Sequence, residues 1–334
     1  MRFYKRFQLL CDTTFQKRYF SQHETMMRWG AVYGYDRNKR KYSAYFRFLR
    51  FLFTKCKLMF IYRMWLMIRF ICGKIDIPYM QIVVTTQCTL KCKDCHDLMP
   101  LFKKEQHYKG RLENITKDLK CLLDSVDSIM SVRILGGEPL LFKDLPKLID
   151  YIKNEQKIKS FDIITNATIP ISDDMLHSLK DCYKARVIID DYSKQVQSLK
   201  SQEKLHHIQT QLKQYDIRHF VLHWDTQKWF STGEIKKANR TREQIAKNFL
   251  DCGMYCVSMI GNMGGSGNIF ICPRATSMSK IYGINALKGD FVSLDSKNLK
   301  DDLRLFYKKT YFESCDYCGD MSKKQPIEVA IQLD

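Results

Sequence analysis

The sequence predicts an α/β fold in which five or six parallel βα units make a partial (β/α)6-type barrel. A basic helical extension precedes it, and a small cysteine-rich domain follows. Three observations predict this. Short β-branched runs alternate with helically spaced apolar stretches from about residue 78 onward. The stretch before them is basic and aromatic, with no acidic residue between positions 37 and 75. After about residue 226 the alternation stops and glycines and cysteines gather. The expected boundaries are 1–76, 77–225 and 226–334.

Composition narrows the class. The chain has 334 residues, 45% of them apolar and 13% aromatic, and a formal charge of +19. That is ample material for a core, and it excludes a disordered chain, a collagen-like fibre and a small disulfide scaffold. No internal repeat or low-complexity tract is visible. Thirteen cysteines in a chain without a secretory leader pattern are expected to be reduced, so clusters of them read as metal ligands or reactive thiols. The expected compartment is the cytoplasm.

In the extension, eleven Lys and Arg between positions 37 and 75 interleave with aromatic and aliphatic residues. On a helical projection Arg47, Arg50, Lys55, Lys57 and Arg69 fall within about 160° of arc, which predicts a basic amphipathic helix, or two joined. Five residues separate Lys57 from Arg63, far short of the roughly 20 uncharged residues that a membrane span needs. Three readings stand: the apolar face packs on the body of the protein, residues 44–71 touch the inner membrane face peripherally, or the charge meets an acidic partner. Nucleic acid is not favoured, because no binding-module signature accompanies the charge.

The elements then follow in order. Strands are expected at residues 81–85, 131–135, 161–165, 186–189 and 217–223. Helices are expected between and after them, at 112–126, 145–155, 175–179 and 196–212. Such alternation implies parallel strands with right-handed crossovers and a ligand site at the carboxyl ends of the strands.

Cys88, Cys92 and Cys95 follow the first strand as C-x3-C-x2-C. Three thiolates on one tight loop suit three corners of an iron–sulfur cubane and leave one iron open to an outside ligand. Structural zinc would normally close with a fourth Cys or His, and His96, beside Cys95, is poorly placed for that.

This loop resembles that of the radical S-adenosylmethionine superfamily, and further pieces fall in that family's order. Gly136-Gly137-Glu138-Pro139 follows the second strand as a GGEP motif does, so the resemblance implies that Gly136, Gly137 and Glu138 bind the methionine amino group. Thr165-Asn166-Ala167 ends the third strand and is similar to the family's T-N-G element, with Asn166 hydrogen-bonding the cofactor. Asp190, or nearly as well Asp191, ends the fourth strand where the family often contacts the ribose. One departure is Asp94, which stands where an aromatic residue usually lies against adenine. In the family, S-adenosylmethionine occupies the open iron of a 4Fe–4S cluster held by residues equivalent to the catalytic Cys88, Cys92 and Cys95. One electron then cleaves it to a 5′-deoxyadenosyl radical, which abstracts hydrogen from a substrate.

The C-terminal region holds Cys252, Cys256, Cys272, Cys315 and Cys318. A glycine-rich hairpin over residues 256–272, a helix at 299–307 and a final C-x2-C resemble the auxiliary-cluster domains called SPASM and twitch. The chain has no cysteine beyond Cys318, so a single second 4Fe–4S cluster, the twitch arrangement, matches better. Five cysteines compete for four places; Cys252 and Cys256 both fit, and Cys256 with Cys272, Cys315 and Cys318 is favoured. A four-cysteine zinc knot is the alternative. Cys11, Cys56, Cys72, Cys121 and Cys182 stand singly and are expected as core fillers.

The resemblance implies a radical oxidoreductase that modifies a peptide, a protein or a carbohydrate, with an acidic flavodoxin or ferredoxin as electron donor. Arg274, Trp224 and Asp225 are candidate substrate contacts. The other reading is a catalytically degenerate, metal-stapled scaffold acting at a membrane or on a protein partner.

Overall fold

A computed structural model describes residues 1–33, 51, 58–196, 203–225, 227–253, 257–260, 267–283, 287 and 289–333. Among these, an eight-stranded sheet organises the chain. Its first five strands in sequence are β1 (Met80–Val83), β2 (Val132–Leu135), β3 (Phe161–Thr165), β4 (Ala185–Asp191) and β5 (His219–His223). They pair in that order, each parallel to the next. Every residue of β1 is buried, as expected for a parallel strand covered on both faces.

Before β1 lie α1 (Phe3–Leu10), the single turn α2 (Thr13–Phe15), a π-turn (Gln16–Phe20), α3 (Ser21–Tyr33) and α4 (Met59–Ile71). The crossover helices are α5 (Leu112–Ser125), α6 (Leu145–Asn154), α7 (Asp173–Leu179) and α8 (Glu203–Gln214). Helix α6 shows why they dock: Leu145, Leu148, Ile149 and Ile152 recur at helical spacing and are all buried.

In the last third of the chain a two-residue pair, Trp229–Phe230 antiparallel with Pro326–Ile327, stands apart, and three further strands join the main sheet. Strand β6 (Val257–Ile260) pairs parallel with β1 on the side away from β2. Strands β7 (Asn268–Phe270) and β8 (Phe291–Ser293) then continue antiparallel. Around them pack α9 (Arg242–Cys252), α10 (Pro273–Ile281) and α11 (Leu299–Lys308). The hairpin thus puts the C-terminal cysteines beside the first cysteine loop.

The extension packs into the same core. Phe15 stacks on Tyr19 at 5.1 Å and tilts against Phe70 at 4.9 Å, while Tyr307 of α11 meets Tyr19 edge-on at 5.3 Å. Arg18 is fully buried among the rings of Phe249, Phe306, Tyr307 and Phe312, and donates to the carbonyls of Phe306 and Lys309. Of the five residues expected on the charged face, α4 carries Arg69, and Arg47, Arg50, Lys55 and Lys57 lie outside the described residues. Arg63 turns to Glu24 and Gln16, and Arg69 grips Asp76 through two hydrogen bonds of 2.8 and 2.7 Å. Residues 44–50 and 52–57 of the expected helix lie outside the described residues. No helix of the described residues is long and apolar enough to cross a membrane.

Of the single cysteines, Cys182 is buried and Cys121 half-buried, but Cys11 and Cys72 are exposed because each lies at the outer end of a surface helix. Cys56 lies outside the described residues.

Candidate active site

The carboxyl ends of β1 to β4 open onto one cleft of about 1040 Å³ counted to its mouth. Cys88, Cys92, Cys95, Gly136, Gly137, Asn166 and Asp190 all line it. Four separate strand ends therefore deliver their polar residues to one place, as parallel α/β sheets do.

The cysteine loop is strapped by the C-terminal tail. Lys93 N donates to Ile331 O at 2.8 Å and Leu333 N to Lys91 O at 2.9 Å, while the Gln332 side chain donates to Cys92 Sγ at 3.3 Å. Burial pushes the Cys88 thiol up to about 11 and the Cys95 thiol up to about 12, and it raises Cys92 as well. Thiols in such surroundings ionise only beside a compensating cation. Among the described residues no three His, Cys, Asp or Glu side chains are already drawn close enough to hold a metal ion. The three thiols share the cleft wall. The donor set, soft and three-fold, fits an iron–sulfur cluster.

The GGE segment is stitched to the chain entering that loop. Gly137 N donates to Thr85 O at 2.9 Å and Glu138 N to Gln87 O at 2.8 Å. A Cβ on Gly136 would sit 2.3 Å from Thr85 O, and one on Gly137 2.2 Å from Gln87 O. Only glycine fits either position. Glu138, expected to touch the cofactor, turns away from the cleft. Its carboxylate is fully buried and accepts from Thr165 Oγ1 at 2.9 Å, Asn166 N at 2.9 Å and Leu140 N at 3.1 Å. Burial raises its pKa to about 7 despite those donors. Its acceptors are spent on the strand ends, so it positions Asn166. The Asn166 side chain in turn donates to Thr89 Oγ1 at 3.2 Å and lies 3.7 Å from Cys88 Sγ.

Asp190 faces the cleft, with burial raising its pKa to about 6, and accepts from Trp224 Nε1 at 3.0 Å. Asp191 points to the other side and pairs with His223 at 2.7 Å. Sequence reasoning missed Tyr192 and Trp229, which meet edge-on at 5.9 Å and add an aromatic wall, and Arg133 on β2. The adjacency of Tyr192 to Asp190 was the one available signal.

The expected substrate contacts fare differently. Trp224 is engaged by Asp190, and Asp225 pairs with Lys194 at 2.6 Å outside the cleft. Arg274 is buried, donates to Thr232 Oγ1 and Gly233 O, and lines a second cavity rather than this cleft.

A second, smaller cavity is lined by Cys252, Cys272, Cys315 and Cys318, with His96 shared between its wall and that of the first cleft. Burial raises the Cys315 and Cys318 thiols. Cys272 caps α10 and Cys252 ends α9. Cys256 lies outside the described residues.

No family model matches the chain. Curated relatives are GTP 3′,8-cyclase of Clostridium botulinum strain Hall, 35% identical over 113 residues (34% of each chain), and the probable GTP 3′,8-cyclase of Methanococcus maripaludis strain S2, 38% identical over 90 residues (27% of this chain, 28% of the relative). The chain thus spans about a third of the length of the curated relatives it matches. A solved structure of BtrN with AdoMet and 2-DOIA overlaps 78% of this chain and all of its own at 14% identity and TM-score 0.42. One of anSMEcpe with AdoMet and a peptide overlaps 45% of this chain and 43% of its own at 21% identity and TM-score 0.35.

Proposed function

We propose that this chain, a radical S-adenosylmethionine enzyme by its motif order and its relatives, abstracts hydrogen from a peptide or carbohydrate substrate in the cleft at the ends of β1 to β4. The observation that carries this is the convergence of Cys88, Cys92 and Cys95 with Gly136, Gly137, Asn166 and Asp190 on one cleft wall. Cys88, Cys92 and Cys95 would hold a 4Fe–4S cluster, and S-adenosylmethionine would lie along the GGE segment. When bound, these groups supply the one-electron cleavage of the sulfonium and the hydrogen-atom transfer.

The chain's own residues do the rest. Gly136 and Gly137 let a small molecule approach the backbone beside the cysteine loop. Asn166, fixed through its own N–H by Glu138 and through its side chain by Thr89 and Thr168, forms the cleft wall beside Cys88. Asp190 offers a buried carboxylate to a hydroxyl donor such as a ribose diol. Tyr192, Trp229 and the tail strap close the cleft against water. Cys272, Cys315 and Cys318 would hold the second cluster with Cys252, on the same cavity wall, or Cys256 as the fourth ligand. An acidic flavodoxin or ferredoxin suits the basic surface as electron donor.

The test is anaerobic purification with iron and sulfide counting, then dithionite and S-adenosylmethionine. The wild type should release 5′-deoxyadenosine. Cys92→Ala should release none while keeping about half of the iron. Release of 5′-deoxyadenosine by that variant would refute the assignment of the loop.

A further inference from the structure

Helix α4 is apolar on two opposite faces. Met59, Tyr62, Leu66 and Phe70 are buried against the core. Phe60, Ile61, Met64, Trp65 and Ile68 lie on the other side, each 45% to 59% exposed. Spacing of i, i+1, i+4, i+5 and i+8 makes them one stripe, and the two cations of α4 are already paired, Arg63 with Glu24 and Arg69 with Asp76. Helix α1, which packs against α4, exposes Phe3, Tyr4 and Phe7 at the same kind of spacing. Trp65 is not loose: Tyr62 stacks on it at 5.8 Å and the Arg69 guanidinium lies 4.8 Å from its ring centre. An apolar face of this size held rigid in water marks a contact surface.

Charge selects the occupant. Residues 1–76 hold 17 Lys and Arg against 4 Asp and Glu, so +13 of the chain's +19 belongs to the segment that carries the apolar stripe. A second copy would bring the same positive segment and be repelled. An acidic protein would set its carboxylates against five apolar side chains whose neighbouring cations, Arg63 and Arg69, are already paired. Aromatic and aliphatic residues, with exposed Arg2 and Lys5 beside Phe3 and Tyr4 on α1, suit an anionic headgroup layer, where rings enter the acyl boundary and Lys and Arg stay at the phosphates. We propose that the outward face of α4, with Phe3, Tyr4 and Phe7 of α1, seats the protein flat on an anionic lipid bilayer. The helix has 13 residues, about 20 Å at 1.5 Å per residue, and lies on the surface without crossing it. The inference is independent of the catalytic reading.

Flotation of the full chain with vesicles of phosphatidylcholine, with and without phosphatidylserine, tests it. Binding should require phosphatidylserine, fall as salt rises from about 0.05 to 0.5 M, and drop about tenfold or more in Trp65→Glu/Ile68→Glu. Both sites are exposed, so the variant should melt with the wild type, and Trp65→Phe should still float. Absence of binding, or equal flotation of wild type and the Glu variant, would overturn the proposal. So would a wild-type dimer in sedimentation that the same pair of substitutions dissociates.

Discussion

At the scale of single residues, the site is governed by backbone closeness as much as by ligands. Gly136 and Gly137 are glycine because residues 85–87 run against them. Gly137→Ala would place a Cβ 2.2 Å from Gln87 O and 2.8 Å from Cys88 Cβ, neither the end of a flexible side chain. It should cost about 1–3 kcal/mol of stability and lower the iron held by the first loop, read by thermal melting and iron counting. Unchanged iron would show that the loop's position is not what the glycine protects. That Cys88, Cys92, Cys95, Gly136, Gly137, Asn166 and Asp190 share one cleft was legible because each follows or ends a strand whose β-branched run is plain in the sequence. Glu138 was read as facing the ligand, and its turn inward was not legible. That turn depends on Thr165 and Asn166, donors that a separate strand supplies. Gln332 gave no signal at all, since its bond to Cys92 joins residues 240 apart.

Among the elements, strands and crossover helices were read to within a few residues, because period-two and 3.6-residue patterns are local properties of the chain. The exception is α8, expected from 196, where Val196 is not helical and the described helix starts at Glu203. The extension was harder. A projection shows which residues share a face but not which charges a neighbouring element will claim, and Arg69 was claimed by Asp76. The packing of α3 also has a pH consequence. His23 is fully buried, shares a hydrogen bond of 3.1 Å with Asp76 O and meets the Tyr19 ring at 5.1 Å. Burial lowers its pKa to about 4, with Arg69 adding to the effect and Asp76 opposing it. The folded protein therefore holds His23 neutral while the unfolded chain protonates it from about pH 6.5 downward. Stability from this group is complete above that pH and is lost as pH falls toward 4, by about 3 kcal/mol in all. The wild type should lose melting temperature over this window more steeply than His23→Gln. Parallel slopes for the two proteins would show that His23 is not the group titrating.

For the whole molecule, the sheet joins what the sequence divides. The hairpin β6–β7 was legible as a glycine-rich turn between β runs, but its parallel seat on β1 was not, because long-range strand pairing leaves no local pattern. That seat brings Cys252, Cys272, Cys315 and Cys318 to a cavity sharing His96 with the first cleft. Electron paramagnetic resonance on oxygen-free, dithionite-reduced protein probes both sites in one sample. A signal from a cluster on Cys88, Cys92 and Cys95 should change when S-adenosylmethionine is added, should vanish in Cys92→Ala, and should persist in Cys272→Ala while a second signal is lost. Stoichiometric zinc in place of iron, or a cluster signal indifferent to S-adenosylmethionine, would contradict the account.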